Sequence, residues 1–195
     1  MGQTGRYACA ATLALATALL GGCDQRSAPA APSAVDATSS AAVVAAPATV
    51  PAAAASAEAG INADLSALRQ ALAAFHDIDK AAGAGWSTQL TPCLTLPGVG
   101  GMGFHYAKVP FDGAVSELEP EALLYEPRGN TLHLVGVEYI VPFDAWTSAT
   151  PPTLFGQTFH RNEPLGIWAL HVWLWKPNPS GMFADWNPNV SCPVT

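Results

Sequence analysis

A carboxylate and two imidazoles fall in this chain at positions where strands ordinarily carry hydrocarbon. Thr131 to Val141 is long, rich in β-branched residues and flanked by Gly and Pro, which predicts a strand. Side chains alternate faces along a strand, so Leu132, Leu134, Gly136, Glu138 and Ile140 are expected on one side, with Glu138 on the most aliphatic face. Leu165 to Trp175 reads the same way and sets His171 in line with Leu165, Ile167, Ala169, Trp173 and Trp175. His105 stands beside Tyr106 in a shorter strand candidate, Gly103 to Lys108. A buried carboxylate must be paired, bound to metal or turned toward a polar cavity, because burying it alone is very costly. Two histidines and one carboxylate from three strands form the donor set of a 2-His-1-carboxylate site for a divalent metal, or an acid/base pair lining a pocket. The candidate metal ligands are therefore His105, Glu138 and His171. The candidate ligand-binding residues are these three with Tyr106, Tyr139 and Trp173, in a pocket to which Trp168 and Trp175 would contribute.

Plainer roles compete with each of these. A histidine on an apolar strand face commonly serves as a hydrogen-bonded core residue, and Glu138 could pair with Arg128 or Arg161. No His-x-His, no His-Glu-x-x-His and no Cys/His cluster supplies metal-ligand spacing. The glycine-rich Gly98 to Gly103 lacks the Gly-Lys-Ser/Thr ending of a phosphate loop and leads into a strand, which makes it a turn. Serine-hydrolase chemistry has no Gly-x-Ser-x-Gly elbow here. Asp112, Glu117, Glu119, Glu121 and Glu126 follow no calcium-loop spacing and are expected to form a solvated acidic loop. Lys176 to Pro193 alternates Pro and Asn around Phe183 and Trp186, either as a binding surface or as a stiff loop packed on the sheet.

The elements that would position these side chains begin late in the chain. Residues 1 to 22 read as an export signal: Arg6 supplies a basic start and Ala8 to Leu20 an apolar run too short for a membrane span. The run ends in Leu20-Gly21-Gly22-Cys23, which resembles a lipobox, so Cys23 is expected to carry the acyl chains, palmitate among them, that anchor the protein to a membrane. From Asp24 to Gly60 the chain is dominated by Ala, Pro, Ser, Val and Thr with no aromatic residue, a composition expected to form a disordered tether. Removal of the signal leaves seven Lys and Arg against 15 Asp and Glu, a mature charge near −8. That balance disfavours nucleic acid as a partner. Once Cys9 leaves with the signal and Cys23 is acylated, Cys93 and Cys192 remain, and an oxidising compartment makes them a disulfide.

Residues 61 to 195 fit a single domain. Ile61, Leu65, Leu68, Leu72 and Phe75 recur at helical spacing behind an Asn62 cap, and Gly83 and Gly85 would end that helix. The remainder reads as strands, adding Ala122 to Glu126 and Leu154 to His160, with no βαβ rhythm. The expected fold is α+β: an N-terminal amphipathic helix packed on a curved antiparallel sheet or half-barrel. The segments Gly101-Met102-Gly103-Phe104-His105-Tyr106, Pro120 to Pro127, Val137-Glu138-Tyr139, Leu154-Phe155-Gly156-Gln157, Leu170 to Trp175 and Trp186-Asn187-Pro188 together resemble a family of uncharacterised secreted bacterial lipoproteins with no known biochemical function. The resemblance implies domain limits and no chemistry. Three functions follow as expectations: an envelope module, facing the periplasm or cell exterior, that binds a small or apolar ligand without catalysis; a metal-dependent enzyme using the His-Glu-His set; or a structural, partner-binding lipoprotein without a pocket. Cys23→Ser is expected to abolish acylation and move the protein from the membrane to the soluble fraction, as read by fractionation and mass of the mature chain.

Overall fold

The computed structural model describes residues 52–193. The export signal, Cys23 and the first part of the tether lie outside the described residues. Helix α1 spans Ala52–Leu72 and starts ahead of the expected Asn62 cap, because beyond Pro51 the alanine-rich chain has strong helical propensity and no further proline. The single long helix expected as far as Gly83 is instead interrupted. A 3₁₀ turn, Ala73–His76, follows Leu72, and Asp77 then caps α2, Ile78–Gly83, by accepting from the Asp79 and Lys80 backbone N–H groups.

The β region comprises β1 Thr88–Gln89, β2 Leu94–Leu96, β3 Gly100–Ala107, β4 Ala122–Arg128 and β5 Thr131–Pro142, then β6 Thr153–Leu154, β7 Gln157–Thr158, β8 His160–Asn162 and β9 Ile167–Val172. The main sheet runs β1-β3-β4-β5-β9-β8, with β2 also paired to β3, and every pairing is antiparallel. The fold class is α+β. Leu154 to His160, expected as one strand, is a small β6–β7 hairpin, since Phe155 and Gly156 both take positive φ in a two-residue turn. The last long strand is shorter than Leu165 to Trp175: Leu165 belongs to a 3₁₀ turn and β9 ends at Val172.

One face of the sheet builds the main core. Leu123, Tyr125, Leu134, Val137, Tyr139, Leu170 and Val172 cluster there with Leu65, Leu68 and Leu72 of α1. The opposite face carries Leu124, Val135 and Trp173 in one small cluster and Ala107, Ala122 and Ile140 in another. A bulge explains the division. Leu124 pairs with Gly136 but the next residue, Tyr125, pairs with Leu134, which leaves Val135 as an extra residue in β5. Leu132 and Leu134 therefore turn to the main core, and do not share the face of Glu138 as strict alternation predicted.

The C-terminal segment crosses the second face and is fixed at several points. Gly101 and Asn187 exchange both backbone hydrogen bonds at 3.0 Å. Glu126, 2% exposed, accepts from Lys176 Nζ, from the Arg128 guanidinium and from the Ser191 N–H. Burial alone would raise the Glu126 pKa, but these donors outweigh it and hold the group below the usual carboxylate value. Glu126 thus departs from the expected solvated loop. Cys93 and Cys192 are bonded, with Cα atoms 5.7 Å apart and a separation of 99 positions in sequence. Replacing both cysteines by serine is expected to cost about 2–5 kcal/mol of stability on the loop-closure argument, measured by denaturant unfolding; an unchanged midpoint would contradict that role.

Candidate functional site

Glu138 lies at the middle of β5, opposite Ala122 of β4 on one side and His171 of β9 on the other. His105 on β3 is opposite Leu124, whose own partner on β5 is Gly136. His105 and Glu138 are thus two strands apart and offset diagonally, a separation their side chains bridge because the positions around them are small. Ala107, Ala122 and Gly136 leave open the space over which the imidazole and the carboxylate lean toward each other. Gly136 is required for a second reason: a Cβ there would lie 2.8 Å from the Val172 carbonyl oxygen.

The three side chains meet closely. His105 Nε2 is 3.4 Å from Glu138 Oε2, and His171 Nε2 is 3.7 Å from Glu138 Oε1. One donor atom from each of His105, Glu138 and His171 lies within 4.8 Å of the other two. All three residues are buried, at 3%, 7% and 3% exposure. Beyond them stands a second layer of polar partners. His105 Nδ1 hydrogen-bonds Thr91 Oγ1 at 3.0 Å. His171 Nδ1 points at Asp185 Oδ1, 3.4 Å away, and the same oxygen is 2.7 Å from His160 Nδ1. Yet neither ring nitrogen of His171 meets hydrogen-bond geometry with any of the described residues. A buried imidazole without hydrogen-bond geometry at either nitrogen is uncommon, and here a carboxylate oxygen faces each of them, Asp185 Oδ1 at 3.4 Å and Glu138 Oε1 at 3.7 Å.

Burial and neighbouring charges act on both imidazoles. Burial holds the His105 pKa below its ordinary value, against the pull of Glu138 and with His171 adding repulsion. Burial also opposes charge on His171, but Glu138 and Asp185 flank the ring and together raise its pKa above the ordinary value. Asp185 is shifted the other way: burial would raise it, and the two histidines overcome that and lower it.

The trio forms part of the wall of a cavity of about 580 Å³, a volume typical of small-molecule sites. Thr91, His160 and Asp185 also line it, with Leu90, Leu94, Phe111, Ile140, Leu165, Ile167 and Trp186 among the apolar walls. Of the six residues expected to bind ligand, His105, Glu138 and His171 come together on this cavity. Tyr106 and Tyr139 do not line it, because each follows a trio member by one residue and so faces the other side of its strand. Tyr139 is buried in the main core and donates its hydroxyl to the Glu117 carbonyl; Tyr106 donates to Gln89. Trp173 lies on the trio's side but behind it, stacked on His171 at 6.3 Å between centroids, with its indole N–H donated to the Ala184 carbonyl. Trp168 and Trp175 are not in the cavity wall either. Glu138 pairs with neither candidate arginine, since Arg128 meets Glu126 and Arg161 meets Glu163.

No protein-family model, no curated protein and no solved structure matches the chain. Geometry and chemistry therefore carry the functional reading. Thr91, His160 and Asp185 had no signal in sequence: they lie on loops or short strands with no periodicity to mark their direction.

Glu121 borders the same region. Its Oε2 accepts from the Ile140 N–H at 2.9 Å, extending the ladder where β4 begins. Burial, supported by the charges of Asp112 and Glu138, pushes the Glu121 pKa up to about 7 against that hydrogen bond. The sign follows by linkage: the folded state holds the proton more tightly than the unfolded chain. The contribution of Glu121 to stability is best below the unfolded value near 4.5 and is lost as pH rises toward 7. Glu121→Gln keeps an acceptor for Ile140. Relative to wild type it is expected to gain nothing near pH 4 and about 1–2 kcal/mol above pH 7, allowing for partial exposure, in denaturant unfolding across that range.

Proposed function

We propose that this protein is a lipid-anchored module of the bacterial envelope whose domain binds a divalent transition-metal ion through His105 Nε2, Glu138 and His171 Nε2, and through it a small ligand in the adjoining cavity. The observation that carries the reading is His171, fully buried with both ring nitrogens unsatisfied and one of them aimed at a carboxylate 3.7 Å away. Two ligands of one tetrahedral ion, each about 2.0–2.1 Å from it, lie roughly 3.4 Å apart. The separations of 3.4 and 3.7 Å around Glu138 are near that value and longer than a good hydrogen bond. The outer nitrogens support the same role. Thr91, hydrogen-bonded to His105, and Asp185, 3.4 Å from His171 Nδ1, would serve as the outer partners that fix ring orientation and raise ligand basicity in metal sites. Two imidazoles and a carboxylate, with no thiolate, suit zinc, iron(II), cobalt or manganese.

The proposal extends to the scaffold: α1 acts as an amphipathic helix laid on one face of a curved sheet or half-barrel, which leaves the other face for the site. A metal-dependent enzyme is the second reading. It is favoured by His160, which lines the cavity, is half exposed and is hydrogen-bonded to Asp185, where it could exchange a proton with a metal-bound water.

Equilibrium dialysis of the full-length chain against Zn(II), followed by metal analysis, tests the site. A single ion per chain is expected, with binding weakened at least about hundredfold in Glu138→Gln and about 10- to 100-fold in Thr91→Val, both retaining the wild-type circular dichroism spectrum. A wild-type chain that retains no metal above background overturns the reading, as does Glu138→Leu if it gains stability and leaves metal retention unchanged.

A further inference from the structure

We infer that the ligand of this cavity is an aliphatic monocarboxylate, its head on the metal ion and its tail along the apolar wall. The inference rests on the metal reading above and adds the ligand's chemical class. Charge comes first. A divalent ion with one carboxylate and two neutral imidazoles keeps one positive charge, and its three ligands are 3–7% exposed. An uncompensated charge at such a site is costly, so the remaining coordination position favours an anion. The charged groups nearby are already engaged: Asp185 has His160 at 2.7 Å, and Arg161 is tied to Glu163. Asp185 also stands 3.4 Å from the outer nitrogen of His171, where it offsets part of the ion's charge without occupying a position on the ion, and Arg161 is held by its own carboxylate. A single anionic group on the open position, and no more, suits the charge that remains.

The remaining wall determines the rest of the molecule. Beyond the trio the wall is mostly apolar, with Leu90, Leu94, Phe111, Ile140, Leu165 and Ile167, while Arg161 and Asn162 add polar groups beside His160 and Asp185. Two of them, Leu90 and Leu165, are 39% and 68% exposed, so apolar surface continues to where the cavity meets solvent. A carboxylate with a hydrocarbon chain satisfies both parts. Its oxygens neutralise the ion, and its methylene groups leave water against leucine and isoleucine. A sugar or polyol would strand hydroxyl groups against that wall, and a dianion would overcharge the floor.

Cobalt(II) gives the test a reporter, since its visible absorption bands respond to exchange of a ligand on the ion. Full-length protein loaded with Co(II) is titrated with octanoate, acetate and octanol. Octanoate is expected to shift the bands and saturate at a concentration roughly 10- to 1,000-fold below that needed with acetate, while octanol leaves the bands unchanged. Leu165→Ser, a change at an exposed position, is expected to weaken octanoate about three- to tenfold and to leave Co(II) uptake and the acetate response as they were. Cobalt uptake with no response to octanoate, or octanoate binding no tighter than acetate, overturns the inference and leaves the metal reading standing. Failure to take up cobalt overturns both.

Discussion

Taking a carboxylate and two imidazoles out of water on one sheet face is the constraint on which the rest of the second face depends. Each of the three needs a partner for every polar atom it buries, and strands alone cannot supply them, because backbone groups are already used in the ladders. The chain meets part of this need with loops. Thr91, between β1 and β2, reaches His105, and Asp185, in the C-terminal segment, approaches His171. Each histidine thereby presents its other nitrogen to Glu138. The nitrogens of His171 are left without hydrogen-bond geometry to any of the described residues.

Loops that carry such partners must be held at the right place against their own conformational entropy. The two segments involved are the ones the disulfide joins, since Cys93 lies two residues beyond Thr91 and Cys192 seven beyond Asp185. Glu126 ties the same C-terminal segment to β4 through the Ser191 N–H and Lys176, and Asn187 ties it to Gly101 on β3. A cross-link, a buried charge network and a backbone bridge thus converge on the segment that delivers Asp185 and Trp186 to the cavity. Reach costs the most where it is least local, and the fold places its strongest fasteners there.

How much of this could be read in the residues follows from the range of the forces involved. The trio was legible because strand periodicity is local: a glutamate and a histidine amid aliphatic neighbours are visible in any window of a few residues. The disulfide was legible because Cys93 and Cys192 are the only two cysteines beyond residue 60. The face assignment of Leu132 and Leu134 was not, since the bulge at Val135 depends on pairing with a β4 segment several residues away and leaves no mark in the alternation itself. Nor could periodicity find Thr91, His160 or Asp185, which reach the site through the path of the loops and edge strands. Tyr106 and Tyr139 were assigned to the pocket by adjacency in sequence, although alternation already placed each opposite its neighbour.

That opposition divides labour within single strands. Glu138 and Tyr139 are consecutive, yet one faces the cavity and the other is sealed in the core, its hydroxyl donated to the Glu117 carbonyl at 2.6 Å. Tyr125 does the same on β4, donating to the Phe75 carbonyl at 2.6 Å. Burial raises the pKa of both phenols, so they remain neutral donors that pin a loop and the turn after α1 to the sheet. The face with satisfied phenols and close-packed leucines supplies rigidity, and the strands transmit it across their own thickness to the side chains behind. A site built on small residues such as Ala107, Ala122 and Gly136 has little packing of its own to hold it. It keeps its geometry because the backbone beneath it is fixed from the opposite face.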